Sequence, residues 1–396
     1  MKNPINKIFR RFGFEVRHFK PTQFREFVSL KTDEREKGNV LLAYIVEPFL
    51  LKDEELPSQS HTHHTESLLI AEAFLSTGYN VDVIDYRNGA FEPIKDYTFF
   101  VSARTNFVAI AKRLNRDCIR IAHLDTAHFL FNNSAAYRRL LELQQRRGVT
   151  TTSFKFIEHN YAVENADYLT MLGNDFTKST YDYANKPIYP LPVPTPNIYS
   201  PHYSKDFNKY RSKFLWLGSG GLVHKGLDLV LEVFSELSNH HLTVCGPLED
   251  PCEGEFQKAY HKELYETPNI HTVGWVDVSS QQFVDIASKC SALIYPSCSE
   301  GQAGSVITCL QASLIPLVSY ESGVDVKEFG VILKECSHGE IKDAIKQISS
   351  KSNQELEAMS RKAYEYARSK HTKEKYLKEF VEIITRVEHE SSKLSS

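Results

Sequence analysis

The sequence predicts an α/β protein built from two doubly wound, Rossmann-like domains facing each other across a cleft. Three observations carry that expectation. Short, nearly all-apolar strands alternate with helices, the pattern of parallel sheets covered on both faces. The alternation runs twice, in blocks separated by a stretch crowded with Pro187, Pro190, Pro192, Pro194, Pro196 and Pro201. The second block holds a strand, a small-residue loop and a helix in immediate succession: Tyr295-Pro-Ser-Cys-Ser-Glu300-Gly-Gln-Ala-Gly304-Ser305-Val-Ile-Thr308.

Residues 1–38 read as a basic amphipathic segment. Up to Arg25 the bases Lys2, Lys7, Arg10, Arg11, Arg17, Lys20 and Arg25 face Glu15 alone, interleaved with Phe9, Phe12, Phe14 and Phe19. That composition suits peripheral contact of residues 1–25 with an anionic membrane; a solvated leader packed on the first domain is the other reading. The first domain, 39–200, is expected to face the acceptor. Its strands are Val40–Val46, Tyr79–Asp85, Tyr97–Ser102, Cys118–His123 and Tyr168–Leu172, with helices near Ser67–Ser76, Phe107–Leu114 and Ala135–Arg146. Prolines fix φ and donate no backbone hydrogen bond, so 186–210 reads as an ordered, extended connector. The second domain, 201–371, restarts with strands Lys213–Leu217, His241–Cys245, Ile270–Val273, Ala292–Tyr295 and Ile315–Ser319. A closing helical region spans Glu340–Val387, and residues 372–396 are expected to pack back on the first domain.

With 396 residues there is room for two cores, and no apolar run reaches the ~20 residues of a membrane-spanning helix. The opening residues lack the apolar centre of a secretory signal, so the sequence reads as cytoplasmic, with peripheral association at the inner membrane face if residues 1–25 bind lipid. The cysteines at 118, 245, 252, 290, 298, 309 and 336 are odd in number and form no C-x-x-C pair, which speaks for reduced, buried thiols. A net charge of −3 gives no case for nucleic acid.

The chemistry lies in two loops of the second domain. The first turn of a helix has unpartnered amides at its positive end, so the loop before Gly304 and Ser305 can hold phosphate. Glu300 repels phosphate but accepts from hydroxyl groups, and a nucleotide sugar combines both needs. Gly218-Ser219-Gly220-Gly221-Leu-Val-His-Lys225-Gly226 follows the domain's first strand, letting backbone approach a ligand and bringing a cation to it. Alone, such a turn is more often only a turn. Beside the other loop, Lys225 and Gly304/Ser305 could clamp one diphosphate.

In order and spacing over 213–371, the Gly…Lys225-Gly loop, Gly274-Trp275-Val-Asp277, Pro296-Ser-x-x-Glu300-Gly and Pro316-Leu-Val-Ser319 resemble the donor domain of GT-B glycosyltransferases, in particular the retaining family 4-like group of the family 1/4 superfamily. The resemblance implies that Lys225 steadies the diphosphate, that Glu300 accepts sugar hydroxyls, and that Gly274 and Trp275 lie near the base. Two features depart from it. Ser219-Gly220-Gly221 stands where the family usually has an arginine, and Thr308 stands where it commonly has a second glutamate. Gly218, Ser219, Gly220, Lys225, Gly274, Trp275, Glu300, Gly301, Gly304, Ser305 and Thr308 are therefore the expected donor-binding residues.

The acceptor side is less distinct. His123-Leu-Asp125-Thr-Ala-His128 follows a strand and looks like a variant of a pattern in bacterial sugar transferases, with His128 favoured over His123 as catalytic and a merely packed histidine as the alternative. His64, His123 and Asp125 are expected to face the acceptor, His128, Lys225 and Glu300 to be catalytic. His61, His63, His64 and Glu66 are placed in a loop before the first helix, as an acceptor-facing loop or a helix cap with Thr62 or Thr65, with a metal site least favoured. No Asp-x-Asp pair occurs to carry a phosphate-bound metal, so no metal and no cofactor are expected beyond the nucleotide-sugar substrate. The expected activity is transfer of a sugar from a nucleoside diphosphate to a saccharide or lipid-linked saccharide, with retention, in cell-surface polysaccharide or glycan synthesis. An inactive binding or scaffold subunit and a nucleotide-sugar epimerase are the alternatives. A nicotinamide dehydrogenase is disfavoured, since no G-x-G-x-x-G follows the first strand.

Overall fold

The computed structural model describes residues 26–50, 62–151, 155–248 and 254–394; the basic segment 1–25, His61 and Cys252 lie outside them. Strands β1 (Phe27–Leu30), β2 (Gly38–Tyr44), β3 (Tyr79–Asp85), β4 (Phe99–Ser102), β5 (Ile119–Leu124), β6 (Tyr168–Leu172) and β7 (Ile188–Leu191) form the first sheet, ordered β1-β3-β2-β4-β5-β6-β7. Strands β2 to β7 run parallel, and β1 pairs antiparallel with β3, Phe27 opposite Ile84. Two expectations are corrected here. Residues 27–30, placed in the N-terminal segment, are an edge strand whose side chains alternate between exposed and half-buried, too short a pattern to stand out. Residues 188–191, placed in the connector, pair with β6; a strand containing Pro190 is tolerated at a sheet edge, where the missing N–H costs no ladder bond.

The β2–β4 region is covered on one face by helix α1 (Thr62–Ser76), whose buried Ile70, Ala73 and Phe74 pack on Val81, Phe99 and Val101. Helix α2 (Phe129–Arg147) begins six residues before the expected Ala135, because His128 caps it. Helix α1 likewise begins before the expected Ser67, so His63, His64 and Glu66 lie in its first turns and not in a preceding loop. Thr65, considered as a cap, is buried inside the helix.

The second sheet comprises β8 (Lys213–Leu217), β9 (His241–Cys245), β10 (Ile270–Gly274), β11 (Ala292–Tyr295), β12 (Ile315–Ser319) and β13 (Val331–Leu333), all parallel in the order β10-β9-β8-β11-β12-β13. Strand order reverses between β8 and β11, and such a switch point opens a crevice at the strands' carboxyl ends. Helices α3 (Leu227–Glu236) and α4 (Gly304–Gln311) follow β8 and β11, each burying an apolar face: Leu227, Val230 and Phe234 for α3, Val306, Ile307 and Leu310 for α4. Helix α5 (Asn353–Lys370) packs on α4 with Ala363 and Ala367. Helix α6 (Lys373–Leu394) crosses back to the first domain, where Tyr376, Phe380 and Ile384 join its core.

The domains also meet along α2. Its Leu143 is buried in the second domain's core. Arg146 pairs with Asp228 at 2.5 Å and Glu232 at 3.1 Å, and Arg147 with Glu263 at 2.9 Å. Arg139 donates to the Pro296 carbonyl at 3.1 Å, next to the Glu300 loop. No helix among the described residues is long and apolar enough to cross a membrane.

Candidate active site

The carboxyl ends of both sheets open on one cavity of about 620 Å³. The second domain lines it with Gly218, Ser219 and Lys225 after β8, Gly246 after β9, Trp275 after β10, and Glu300 to Ser305 with Thr308 after β11. The first domain contributes Ile45 and Glu47 after β2, His63 and His64 from α1, Arg104 after β4, Asp125 after β5, and Lys155.

Glycine is needed at 218, where a Cβ would lie 2.5 Å from Trp216 Cη2 and 3.1 Å from the Cδ of Lys225, which runs past it into this space. The Lys225 ammonium is buried, donating to Glu300 Oε1 at 2.9 Å and to the Tyr295 hydroxyl at 3.0 Å. Tyr295 in turn donates to Glu300 Oε1 at 3.0 Å, as does Ser297 Oγ, also at 3.0 Å. Tyr295, Lys225 and Ser305 at the start of α4 line the same wall of the cavity. Within α4 the amides of Gly304 and Ser305 have no intrahelical carbonyl to pair with.

The other Glu300 oxygen, Oε2, accepts from Lys155 at 2.8 Å. Burial opposes charge on Glu300, but Lys155 and Lys225 outweigh it and hold the carboxyl well below its usual range. Burial pulls Lys155 below the ordinary lysine range, with repulsion from Lys225 and Arg104 adding to it against the attraction of Glu300. Gly301 fits against the opposite domain only because it is glycine: a Cβ would meet the Asp125 carbonyl oxygen at 2.6 Å. Its own carbonyl accepts from Thr177 at 2.7 Å.

On the first domain's side, Arg104 donates to Asp125 Oδ2 at 2.5 Å, and His63 Nδ1 lies 3.9 Å from the same oxygen. Burial works against the Asp125 charge; Arg104 and His63 overcome it and lower its pKa. Beneath them Tyr44 donates to Glu66 Oε2 at 2.8 Å, and His123 Nε2 sits 4.0 Å from that oxygen.

Of the residues singled out from sequence, Gly218, Ser219, Lys225, Trp275, Glu300, Gly301, Gly304, Ser305, Thr308, His64 and Asp125 line this one cavity. Gly220 and Gly274 do not; their neighbours Ser219 and Trp275 do, Trp275 following a turn at Gly274 with φ +87°. His123, expected to face the acceptor, is instead 1% exposed behind Tyr44, with Nδ1 on Thr170 at 2.9 Å.

His128, expected to be catalytic, lies outside the cavity. Its Nδ1 accepts from the Leu130 amide at 3.3 Å as the cap of α2, and its Nε2 lies 3.1 Å from the Tyr183 hydroxyl. An imidazole can cap a helix as an amide acceptor, and here it does so while lining a small adjoining cavity with Arg104, Asp125 and Thr126. His128→Ala is therefore expected to cost about 1 kcal/mol of stability, typical of a lost cap, and to leave turnover within about threefold, as paired melting and rate measurements would show.

Sequence reasoning missed Lys155 and Arg104; His63, considered there as part of an acceptor-facing cluster, does line the cavity. Arg104 follows a strand end, where the switch-point rule places ligand contacts, and could have been found that way. Lys155 carries no such local signal. Among the described residues no group of His, Cys, Asp and Glu is arranged to hold a metal ion.

Residues 201–369 match the family described as Glycosyl transferases group 1. No curated protein matches the sequence significantly. Among solved structures, sucrose-phosphate synthase from Thermosynechococcus elongatus is similar at 11% identity and TM-score 0.61, covering 89% of this chain and 99% of that one. The UDP-forming α,α-trehalose-phosphate synthase from Burkholderia vietnamiensis aligns at 8% identity and TM-score 0.60, covering 92% and 99%. HepE from Anabaena, in complex with UDP and glucose, aligns at 9% and 0.57, covering 88% and 100%. TarM aligns at 13% and 0.52 over 72% of this chain, which spans about half of TarM's length (54%). The fold is thus GT-B: two Rossmann-like domains closing on a shared cleft. The match to the group 1 glycosyl transferase family covers the second domain, and the fold that contains it is that of the GT-B structures.

Proposed function

We propose that this enzyme moves a sugar from a nucleoside diphosphate to a saccharide or lipid-linked saccharide, with retention and without a metal, in the building of cell-surface polysaccharide or glycan. One observation carries the reading: Lys225 and the opening of α4, Gly304 and Ser305, border the same cavity. The diphosphate lies between the Lys225 ammonium and the Gly304 and Ser305 amides, with the sugar towards Glu300 and the base towards Trp275. Similarity of fold to HepE, described with UDP and glucose, supports a donor of this class.

The bond from the anomeric carbon to the β-phosphate oxygen breaks as an acceptor hydroxyl oxygen bonds to that carbon from the same face. The hydroxyl proton passes to the departing phosphate. Negative charge grows on that phosphate, so cations and amides already aimed at it lower the barrier. His64 and Asp125, on the opposite wall, are assigned to the acceptor. Contact of residues 1–25 with anionic lipid would bring a lipid-linked acceptor near.

A thermal-shift panel of UDP, GDP and ADP with their glucose and N-acetylglucosamine conjugates tests the donor reading. A ligand selective for the native fold stabilises it by RT ln(1 + [L]/Kd), and one base series is expected to raise the melting temperature by several degrees at saturation. No shift with any of them would reject this reading. Isomerised donor without transfer would instead identify an epimerase.

A further inference from the structure

We propose that Lys155, contributed by the first domain, is a second cation for the diphosphate beside Lys225. This rests on the nucleoside diphosphate reading above. Lys155 lies directly over that loop: Gly221, at φ +83°, would place a Cβ 3.1 Å from Lys155 Cβ. Both the positive φ and the contact select glycine at 221. The glycine turn of the loop that carries Lys225 is thus the turn on which another domain's lysine rests.

The position of Lys155 is fixed from behind. Asn132, fully buried, donates to the Lys155 carbonyl at 3.2 Å. Asn133 donates to the Ile157 carbonyl at 2.8 Å and accepts from its amide at 3.0 Å. Both asparagines stand on α2, which is anchored to the second domain by Arg146 and Arg147. The ammonium is therefore held on Glu300 Oε2 opposite Lys225 on Oε1, two cations astride one carboxylate. The two lysines and Glu300 together carry one positive charge in excess at the wall of the cavity.

A diphosphate entering beside Lys225 offers more negative charge than Glu300 does. Lys155 turns to it, and the freed Oε2 accepts a hydroxyl of the donor sugar. Charge is conserved in the exchange, and one residue couples diphosphate binding to sugar binding. The site is complete only when both domains are together, which restricts leaving-group stabilisation to the closed enzyme and limits donor hydrolysis.

Calorimetric titration of the full chain, Lys155→Met and Lys155→Arg with UDP and UMP, and likewise with GDP/GMP and ADP/AMP, tests this. For the base that binds, Lys155→Met is expected to weaken the diphosphate at least tenfold and the monophosphate less than threefold, while Lys155→Arg stays within threefold on both. A clamp that merely holds the domains together would weaken both nucleotides equally, and that result would overturn the proposal. So would unchanged diphosphate affinity in Lys155→Met, or an arginine variant as weak as the methionine one. If the parent chain binds none of the three diphosphates, the functional reading itself fails and the inference with it.

Discussion

Lys225→Ala is expected to slow sugar transfer by about 10²–10³-fold, the range seen when one preorganised transition-state donor is removed from a dry site. The ammonium is 4% exposed and held at hydrogen-bond distance from Glu300 and Tyr295, so it needs little reorganisation to meet charge on the leaving phosphate. Each tenfold corresponds to about 1.4 kcal/mol of barrier. Because that charge grows during the reaction, the loss is expected to fall mainly on kcat, with a smaller weakening of nucleoside diphosphate binding. Steady-state rates with a competent acceptor, set against calorimetric affinities, separate the two. Unchanged kcat with weakened binding would leave Lys225 a ground-state ligand only.

Glu300→Gln is expected to reduce both stability and turnover. The carboxylate neutralises Lys155 and Lys225 and accepts from Tyr295 and Ser297. Removing one partner of a buried ion pair costs about 3 kcal/mol, because the remaining charge has lost its compensation. In the proposed exchange its oxygens also take sugar hydroxyls, and hydrogen bonds to charged groups of about 1.5–3 kcal/mol translate to roughly 10–100-fold in rate. The pH dependence follows from the lowered carboxyl pKa. A depressed folded-state pKa means the unfolded chain binds the proton more readily, so this stabilisation is full above the unfolded value of about 4.3 and is lost as pH falls through the folded one. The stability gap between parent and Glu300→Gln, read from urea denaturation, is thus expected to be widest near neutral pH and to narrow in acid. A gap that stays constant or widens below pH 4 would contradict the ion-pair account.

The second domain was legible because its information is local. An apolar strand, a small-residue loop and a helix with Val306, Ile307 and Leu310 on one face can be read from consecutive residues, and parallel strands bring such loops to one edge. The first domain's strands were legible for the same reason, except where they were short edges: β1 half-exposed, and β7 broken by Pro190. What could not be read is what depends on distant pairs. Lys155 and Glu300 lie far apart in the chain, and nothing near Lys155 marks it as a site residue. The surroundings of His128 are illegible for a related reason. A histidine after a strand suits a cleft, but it equally suits the cap of the helix that follows, and the partner that decides, Tyr183, comes from another segment. His63 is legible as part of a histidine cluster, but its place in a helix is not. Extending α1 back to Thr62 turns a loop cluster into a helical turn facing Asp125.

The most direct test is a crystal structure of the full chain with the nucleoside diphosphate that the titrations select. The account predicts both phosphates within the interdomain cavity, with an oxygen of the terminal phosphate at hydrogen-bond distance from Lys225 Nζ and another from the Gly304 or Ser305 amide. A diphosphate bound with Lys225 still on Glu300 and no contact to the start of α4 would contradict it.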